Sequence, residues 1–215
     1  MKRFFHAILI GCCFSHPSFA DGQAEDIGTG NTLYHGLYAA LDLGMSKASA
    51  NGDYPLLSGG FSSGDVDLGT GRAYGIAFGY NHRNGPYVYG AEVRFFNLGH
   101  LTEKDPSRKE TPEITAVLDL RGRFGYVNNE WMYYGALGWS RANYRIHPGD
   151  AFGGVDNTAG LKGFNVGIGA EYSFNDSWLA GIDYTYRDID GGFGDSGLSS
   201  DADLSTLTLR LAYQF

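Results

Sequence analysis

Apolar residues recur at every second position over eight stretches of the chain. From Leu33 to Met45 the alternate positions are Leu33, His35, Leu37, Ala39, Leu41, Leu43 and Met45, while Tyr34, Gly36, Tyr38, Ala40, Asp42 and Gly44 occupy the other face. Successive side chains of a strand point to opposite sides, so one face of this segment is nearly all apolar. The pattern returns in Tyr74, Ile76, Phe78 and Tyr80, then in Tyr87, Tyr89, Ala91, Val93 and Phe95 set against Gly90, Glu92 and Arg94. A fourth run places Ala116, Leu118, Leu120, Phe124 and Tyr126 opposite Asp119, Arg121 and Arg123. Met132 to Tyr144 forms a fifth strand that does not fix its own facing; Leu137 and Trp139 outward, with Ala136, Gly138 and Ser140 inward, is the better of its two arrangements. The sixth sets Phe164, Val166, Ile168, Ala170, Tyr172 and Phe174 against Asn165 and Glu171. The seventh sets Trp178, Ala180, Ile182, Tyr184 and Tyr186 against Asp183, Thr185 and Arg187, and the eighth sets Leu207, Leu209, Leu211, Tyr213 and Phe215 against Thr206, Thr208 and Arg210.

The connections alternate in length. Short ones at His82 to Pro86, Asn128 to Trp131 and Asn175 to Ser177 carry the Asn, Gly and Asp of tight turns. Long ones run from about Lys47 to Thr70, Gly99 to Glu113, Ile146 to Leu161 and Asp188 to Asp203. Eight strands of roughly nine to eleven residues, with connections that are long, short and long again, predict an all-β, eight-stranded antiparallel up-and-down transmembrane β-barrel. Short turns belong to the periplasmic side of such a barrel, which sends both termini to the periplasm.

A soluble carrier of the lipocalin kind also has eight strands, with its apolar face turned inward. The charged face separates the two. It holds Asp42, Glu92, Asp119, Glu171 and Asp183 against Arg94, Arg121, Arg123, Arg187 and Arg210, five of each sign and no lysine. Guanidinium forks and carboxylates in equal number satisfy one another in a narrow lumen. Tyr80, Tyr87, Tyr126, Tyr133, Phe174 and Trp178 lie beside the short turns, where an interfacial aromatic girdle belongs. No mature segment approaches the roughly twenty consecutive apolar residues of a spanning helix, and a closed barrel pairs its backbone in hydrocarbon without one.

The first twenty residues read as a separate module. Lys2 and Arg3 precede a mostly apolar stretch from Phe4 to Phe14, and Ser18-Phe19-Ala20 fits a small-x-small cleavage site. The domain reading is therefore a signal peptide over 1–20, a short periplasmic segment over 21–32 and an outer-membrane barrel over 33–215. Leu9-Ile10-Gly11-Cys12 offers a rival, lipidation at Cys12. Cleavage after Ala20 is preferred because the apolar stretch before Cys12 is short; it removes both cysteines and leaves a chain without disulfides or thiol chemistry.

Removal of Lys2 and Arg3 leaves fourteen basic residues against twenty-four acidic ones, so the formal charge passes from -8 to -10. A nucleic-acid partner, which needs a basic face, is excluded on that ground. The 33 glycines and 15% aromatic content suit strands rather than helices.

The chain ends at Phe215 with Tyr213, Leu211 and Leu209 alternating behind it, a terminal strand of the kind read by the outer-membrane assembly machinery. Together with Leu37-Tyr38-Ala39-Ala40-Leu41-Asp42-Leu43-Gly44, Gly167-Ile168-Gly169-Ala170-Glu171-Tyr172 and the closing Leu211-Ala212-Tyr213-Gln214-Phe215, it resembles the opacity-type or immunogenic outer-membrane β-barrel superfamily, which shares the architecture of OmpA and OmpX. The resemblance covers Tyr34 to Phe215. It implies a surface-exposed porin-family barrel or surface antigen with a role in envelope integrity, adhesion or host recognition, and it supplies no site residues.

Two other functions compete. A lipid-modifying barrel enzyme needs a histidine base near a serine, and none of His35, His82, His100 and His147 sits in a His-x-Ser arrangement. A narrow ion-conducting barrel remains open, although about eight strands enclose a lumen filled by side chains. Asp188, Asp190, Asp195, Asp201 and Asp203 cluster without the spacing of an EF-hand and read as anionic surface. No metal or cofactor is expected. The expected partners are outer-membrane lipid including lipopolysaccharide, the assembly machinery, and a host or cell-surface ligand at the loops.

Overall fold

The computed structural model describes residues 33–55, 61–102, 111–147, 157–192 and 199–215. The signal-peptide reading, the 21–32 segment and the lipidation alternative lie outside them. Within them the chain is eight strands: β1 (Gly36–Pro55), β2 (Phe61–Asn84), β3 (Tyr87–Thr102), β4 (Thr111–Asn128), β5 (Trp131–His147), β6 (Asn157–Ser173), β7 (Trp178–Gly192) and β8 (Ser199–Gln214). Each is antiparallel to its sequence neighbour, and β1 pairs with β8 from Tyr38↔Gln214 to Gly52↔Ser200, which closes the barrel.

The faces divide as hydrocarbon demands. Leu41, Phe78 and Ile168 are about 60% exposed on the outer wall, whereas Arg94 and Arg123 are buried inside. The fifth strand turns Leu137 and Trp139 outward and Ser140 inward. On β1 the outward apolar run from Leu37 to Met45 covers eight residue steps, about 26 Å along the strand and roughly 20 Å of depth at a tilt of ~40°.

Two boundaries differ from the sequence reading. Leu33 is outside β1, because Tyr34 takes a left-handed backbone (φ 62°) that breaks the alternation and drops its ring into the lumen, where it is fully buried. The long connections also proved shorter than expected, since β1 and β2 stay paired from Ala48↔Gly69 out to Pro55↔Phe61. Ala-Ser-Ala-Asn-Gly and Ser-Ser-Gly-Asp read as loop because they lack outward apolar residues, yet an antiparallel ladder outside hydrocarbon needs none.

The pairing is irregular at one height, just past the outward apolar run: between Ala48 and Ser49 against β2, between Asn97 and Leu101 on β3, and between Ile114 and Ala116 on β4. Two of these share a local device, Asp67-Leu68-Gly69 and Asn97-Leu98-Gly99. In each, the first residue's Oδ1 accepts the glycine N–H, at 2.8 and 3.0 Å, and the glycine has positive φ, +74° and +49°. The leucine between them is buried inside the barrel. Bulges of this kind bend a strand and re-aim a side chain at a barrel rim.

Beyond that height the polarity of the two faces exchanges. Inward positions become Ala48, Leu68, Leu98, Ile114, Tyr144, Leu161, Ile189 and Leu204, and these pack with Phe96 and Val117 into an apolar cluster. Outward positions become Lys47, Ser49, Asp67, Arg141, Lys162, Asp188 and Asp203, all exposed. The hairpin half of the barrel is thus built like a water-soluble barrel, and the turn half like a membrane one.

Space inside is reserved by glycine where an aromatic ring crosses the lumen. A Cβ at Gly169 would stand 2.4 Å from the Tyr134 ring and hydroxyl, and Tyr134 is buried with its hydroxyl on Asp183. Gly169→Val is therefore expected to push Tyr134 off Asp183 and to lower stability by about 1–3 kcal/mol. The check is the urea unfolding midpoint of the refolded barrel in lipid vesicles.

Candidate functional site

The inward charged residues of six strands gather in the barrel interior as a buried network of eight and a separate Arg187–Asp119 pair. Asp42 on β1 receives Arg210 on both oxygens, at 2.8 and 3.0 Å, and Arg94 at 3.2 Å. Glu92 on β3 receives Arg121 at 2.7 Å, Arg210 at 2.6 Å and the Tyr38 hydroxyl at 2.8 Å. Asp183 on β7 receives Arg94 and Arg121, each at 2.8 Å, with Tyr134 and Thr185 hydroxyls at 2.7 and 2.6 Å. Glu171 on β6 receives Arg123 at 2.6 Å and Arg210 at 3.3 Å. Asp119 on β4 is held by Arg187 through two parallel bonds of 2.9 and 2.6 Å, and by the Ser140 hydroxyl.

All ten of these charged side chains are buried, and the five arginines balance the five carboxylates. Charges removed from water are tolerated when geometry is good and the remaining donors and lone pairs are bonded. Tyr38, Tyr134, Ser140, Thr185 and Thr206 supply most of those bonds, the last accepting Arg187 at 2.8 Å, while Arg123 Nε is left without a hydrogen-bond partner. Arg123 also lies over the Tyr134 ring, 3.9 Å from its centroid, a cation–π contact strengthened by exclusion of water. Sequence reasoning missed these tyrosines and hydroxyls as members of the site; their signal was an inward position next to the charged ones.

Apolar layers close the network on both sides. Toward the hairpin end stands the cluster around Phe96 and Ile114. Toward the turn end stand Tyr34, Val88, Val127, Met132 and Leu179. Tyr34 bridges that mouth by donating its hydroxyl to the Glu130 and Glu171 carbonyls at 2.7 and 2.8 Å.

The outer wall carries its own electrostatic feature. On β7, β8, β1 and β2 at the hairpin end, Asp188, Asp201, Asp203 and Asp67 surround Lys47 and Asn51 along a recess of about 580 Å³. Burial and the neighbouring Asp203, Asp190 and Asp201 raise the Asp188 carboxyl above its ordinary value. The Tyr186 hydroxyl donates to Asp203. Among the described residues no group of three or more His, Cys, Asp or Glu is arranged to hold a metal ion, and Asp195 lies outside them.

A family model for the outer membrane protein beta-barrel domain matches residues 9–215. The chain belongs to that family. This outer-membrane barrel also resembles solved structures at low identity. Neisserial surface protein A is 14% identical, with 83% of this chain and 97% of that one covered at a TM-score of 0.51. OprG from Pseudomonas aeruginosa is 13% identical, covering 85% and 97% at 0.52. The outer membrane protease OmpT from Escherichia coli is 9% identical, covering 85% and 97% at 0.54. At such identities the likeness concerns the fold alone. The search of curated proteins found no match.

The remaining sequence-derived residues fall elsewhere in the outer-membrane barrel. Leu209, Leu211, Tyr213 and Phe215 line the outward face at the end of β8, with Tyr213 stacked edge-on against Trp178 and Phe215. His35 and His82 meet at the turn end with ring centroids 5.1 Å apart, and His35 Nδ1 accepts the Arg83 N–H. His100 and His147 belong to the ends of β3 and β5 rather than to loops.

Arg121 bridges Glu92 and Asp183, so its loss takes one guanidinium from each of two buried carboxylates and leaves the lumen with one uncompensated negative charge. Arg121→Leu is expected to lower unfolding stability in vesicles by about 3–5 kcal/mol; an unchanged unfolding midpoint would remove it from the network. At the rim, the folded chain holds the Asp188 proton more tightly than an unfolded one. Asp188 therefore opposes folding at neutral pH, and that opposition fades as pH falls through its raised midpoint toward 3.8. A carboxyl-detected NMR titration should place Asp188 above the ordinary carboxylate value, and Asp203→Asn should bring it down.

Proposed function

We propose that this outer-membrane protein serves a structural and surface-interaction role, with both termini in the periplasm and the extended hairpins outside the cell. The observation that carries this reading is the filled lumen: a neutral set of ten buried charged side chains between two apolar layers. Such an interior offers no continuous aqueous path, which argues against the narrow conducting barrel. It also leaves the outer wall and the hairpins as the surfaces open to a partner.

The orientation is supported by the two ends of the barrel. β2 meets β3 across Gly85 and Pro86, and β4 meets β5 across Asn129 and Glu130; these tight turns suit the periplasmic side. The opposite end carries the β1–β2 arm. The outward run of Leu209, Leu211, Tyr213 and Phe215 fits a role in recognition by the assembly machinery.

A non-enzymatic reading is favoured. Neither His35 nor His82 hydrogen-bonds a serine or a carboxylate among the described residues, and the pair lies on the outer wall beside Tyr80 and Tyr89 rather than in a cleft.

The reading is tested in cells that display the protein. Replacing residues 51–65, the end of the β1–β2 arm, with a two-residue turn is expected to abolish adhesion to host epithelial cells or matrix while leaving membrane yield intact. In the same cells a cysteine at Asn51 should react with an impermeant maleimide and one at Asn129 should not. Undiminished adhesion would overturn the interaction role, reversed labelling would overturn the orientation, and a lipid A mass spectrum altered by the protein would restore the enzyme reading.

A further inference from the structure

Outside the lumen, the cations among the described residues gather at one edge of the apolar band. Reading each strand outward from that band, the first polar side chain facing outward is Lys47 on β1, Arg72 on β2, Arg141 on β5 and Lys162 on β6. At the turn edge there is Arg83, and its guanidinium is occupied, donating to the Gly85 carbonyl at 2.9 Å and the Leu33 carbonyl at 3.1 Å. Within a chain of net charge -8, four of the outward cations among the described residues thus stand at one edge of the apolar band.

Two of them are opposed directly. Arg141 and Lys162 are register partners across β5 and β6, two residues beyond the Trp139↔Phe164 pair that ends the apolar band there. Like charges directly opposite on one face of a sheet repel and destabilise the pairing. Neither makes an ion pair or a hydrogen bond with a described residue. Asp190 is the register partner of Lys162 on the β7 side, yet does not bridge to it. Lys47, by contrast, sits among Asp67, Asp188, Asp201 and Asp203. Gly160, one outward position beyond Lys162, leaves the wall open beside Arg141: a Cβ there would lie 3.7 Å from the Arg141 Nε and Nη2. A guanidinium fork and an ammonium side by side, above a tryptophan and a phenylalanine, present five or more donors to an anion at headgroup depth and an apolar surface to its acyl chains.

We infer that Arg141 and Lys162 form a binding site for a phosphate group of the outer-leaflet glycolipid, with Trp139 and Phe164 beneath it contacting the lipid chains. The anion removes the repulsion between the two cations and, at the same time, fixes a lipid against β5 and β6. This site rests on the orientation proposed above, because the phosphate-rich glycolipid occupies the leaflet at the hairpin end.

The test uses the full mature barrel in detergent micelles, titrated with bisphosphorylated lipid A and followed by native mass spectrometry, so that its outcome does not depend on orientation in the cell. Arg141→Ser with Lys162→Ser is expected to weaken binding roughly tenfold or more, and Lys162→Gln alone about fivefold. Exchanging the cations, Arg141→Lys with Lys162→Arg, should preserve it. Heat-modifiable migration identical to the parent's establishes that each variant is folded. Equal binding by the parent and the double serine variant would overturn the site, as would equal binding of lipid A stripped of both phosphates. Failure of the proposed orientation would appear instead in the maleimide labelling, with lipid binding in micelles unchanged.

Discussion

Every peptide group that crosses hydrocarbon has to be bonded within the chain, and the pairing of β1 with β8 is what satisfies that demand here. With eight strands the ring is narrow, and the consequences follow inward from it. A lumen too small for bulk water must be filled by side chains. Those on the inner faces of β1, β3, β4, β6, β7 and β8 include ten charges, so neutrality and a dense set of hydrogen bonds become conditions of folding. Arginine is the cation that meets them, since one planar fork can serve two carboxylates: Arg210 joins Asp42, Glu92 and Glu171, which come from three strands. The network therefore ties opposite walls of the barrel together as well as filling it.

The same ladder continues past the hydrocarbon, where the solvent problem reverses. Outward residues now meet water and inward ones no longer face a polar lumen, so the polar and apolar positions exchange sides; strand parity is kept on β8, while on β2 and β4 the irregular pairing shifts it by one residue. On β8 the exchange falls between Leu204-Ser205 and Thr206-Leu207: Leu204 and Thr206 both point inward, Ser205 and Leu207 both outward. The irregular pairings at Leu68, Leu98 and Thr115 sit at this boundary. Two of them use an Asx-Leu-Gly turn to seat a leucine in the apolar cluster. The bulges thus help begin the second core at the height where the first, polar one ends.

Much of this was legible in the residues. Strict alternation placed Leu41, Phe78 and Ile168 on the wall and Arg94 and Arg123 inside, because period two leaves no freedom once one face is committed to lipid. The hairpin ends were less legible. There the apolar member of each pair is an alanine or a single leucine, as in Ser49-Ala50-Asn51 and Asp201-Ala202-Asp203, and a rule tuned to lipid-facing strands reads such stretches as loop. Tyr34 was assigned the inward face, but its left-handed turn, which ends the strand and seals the mouth, depends on the distant Glu130 and Glu171 carbonyls that accept its hydroxyl. The partners within the lumen, such as Tyr134 with Asp183 or Arg187 with Asp119, depend on the stagger around the barrel. Neighbouring residue types alone do not encode that stagger.

The charge distribution completes the physical picture. Because the ten lumen charges cancel, the whole net charge of -8 belongs to the rest of the chain. It is also unevenly spread around the hairpin-side wall. Asp188, Asp190, Asp201 and Asp203 crowd the β7–β8 face next to Asp67 on β2, whereas Arg141, Arg145 and Lys162 mark β5 and β6. Two adjacent faces of one ring thus carry opposite fields beyond the apolar band, and they meet where Lys162 on β6 is the register partner of Asp190 on β7. Burial and repulsion within the acidic face raise the Asp188 carboxyl, and a cation or protonation relieves that repulsion; repulsion between Arg141 and Lys162 is relieved by an anion.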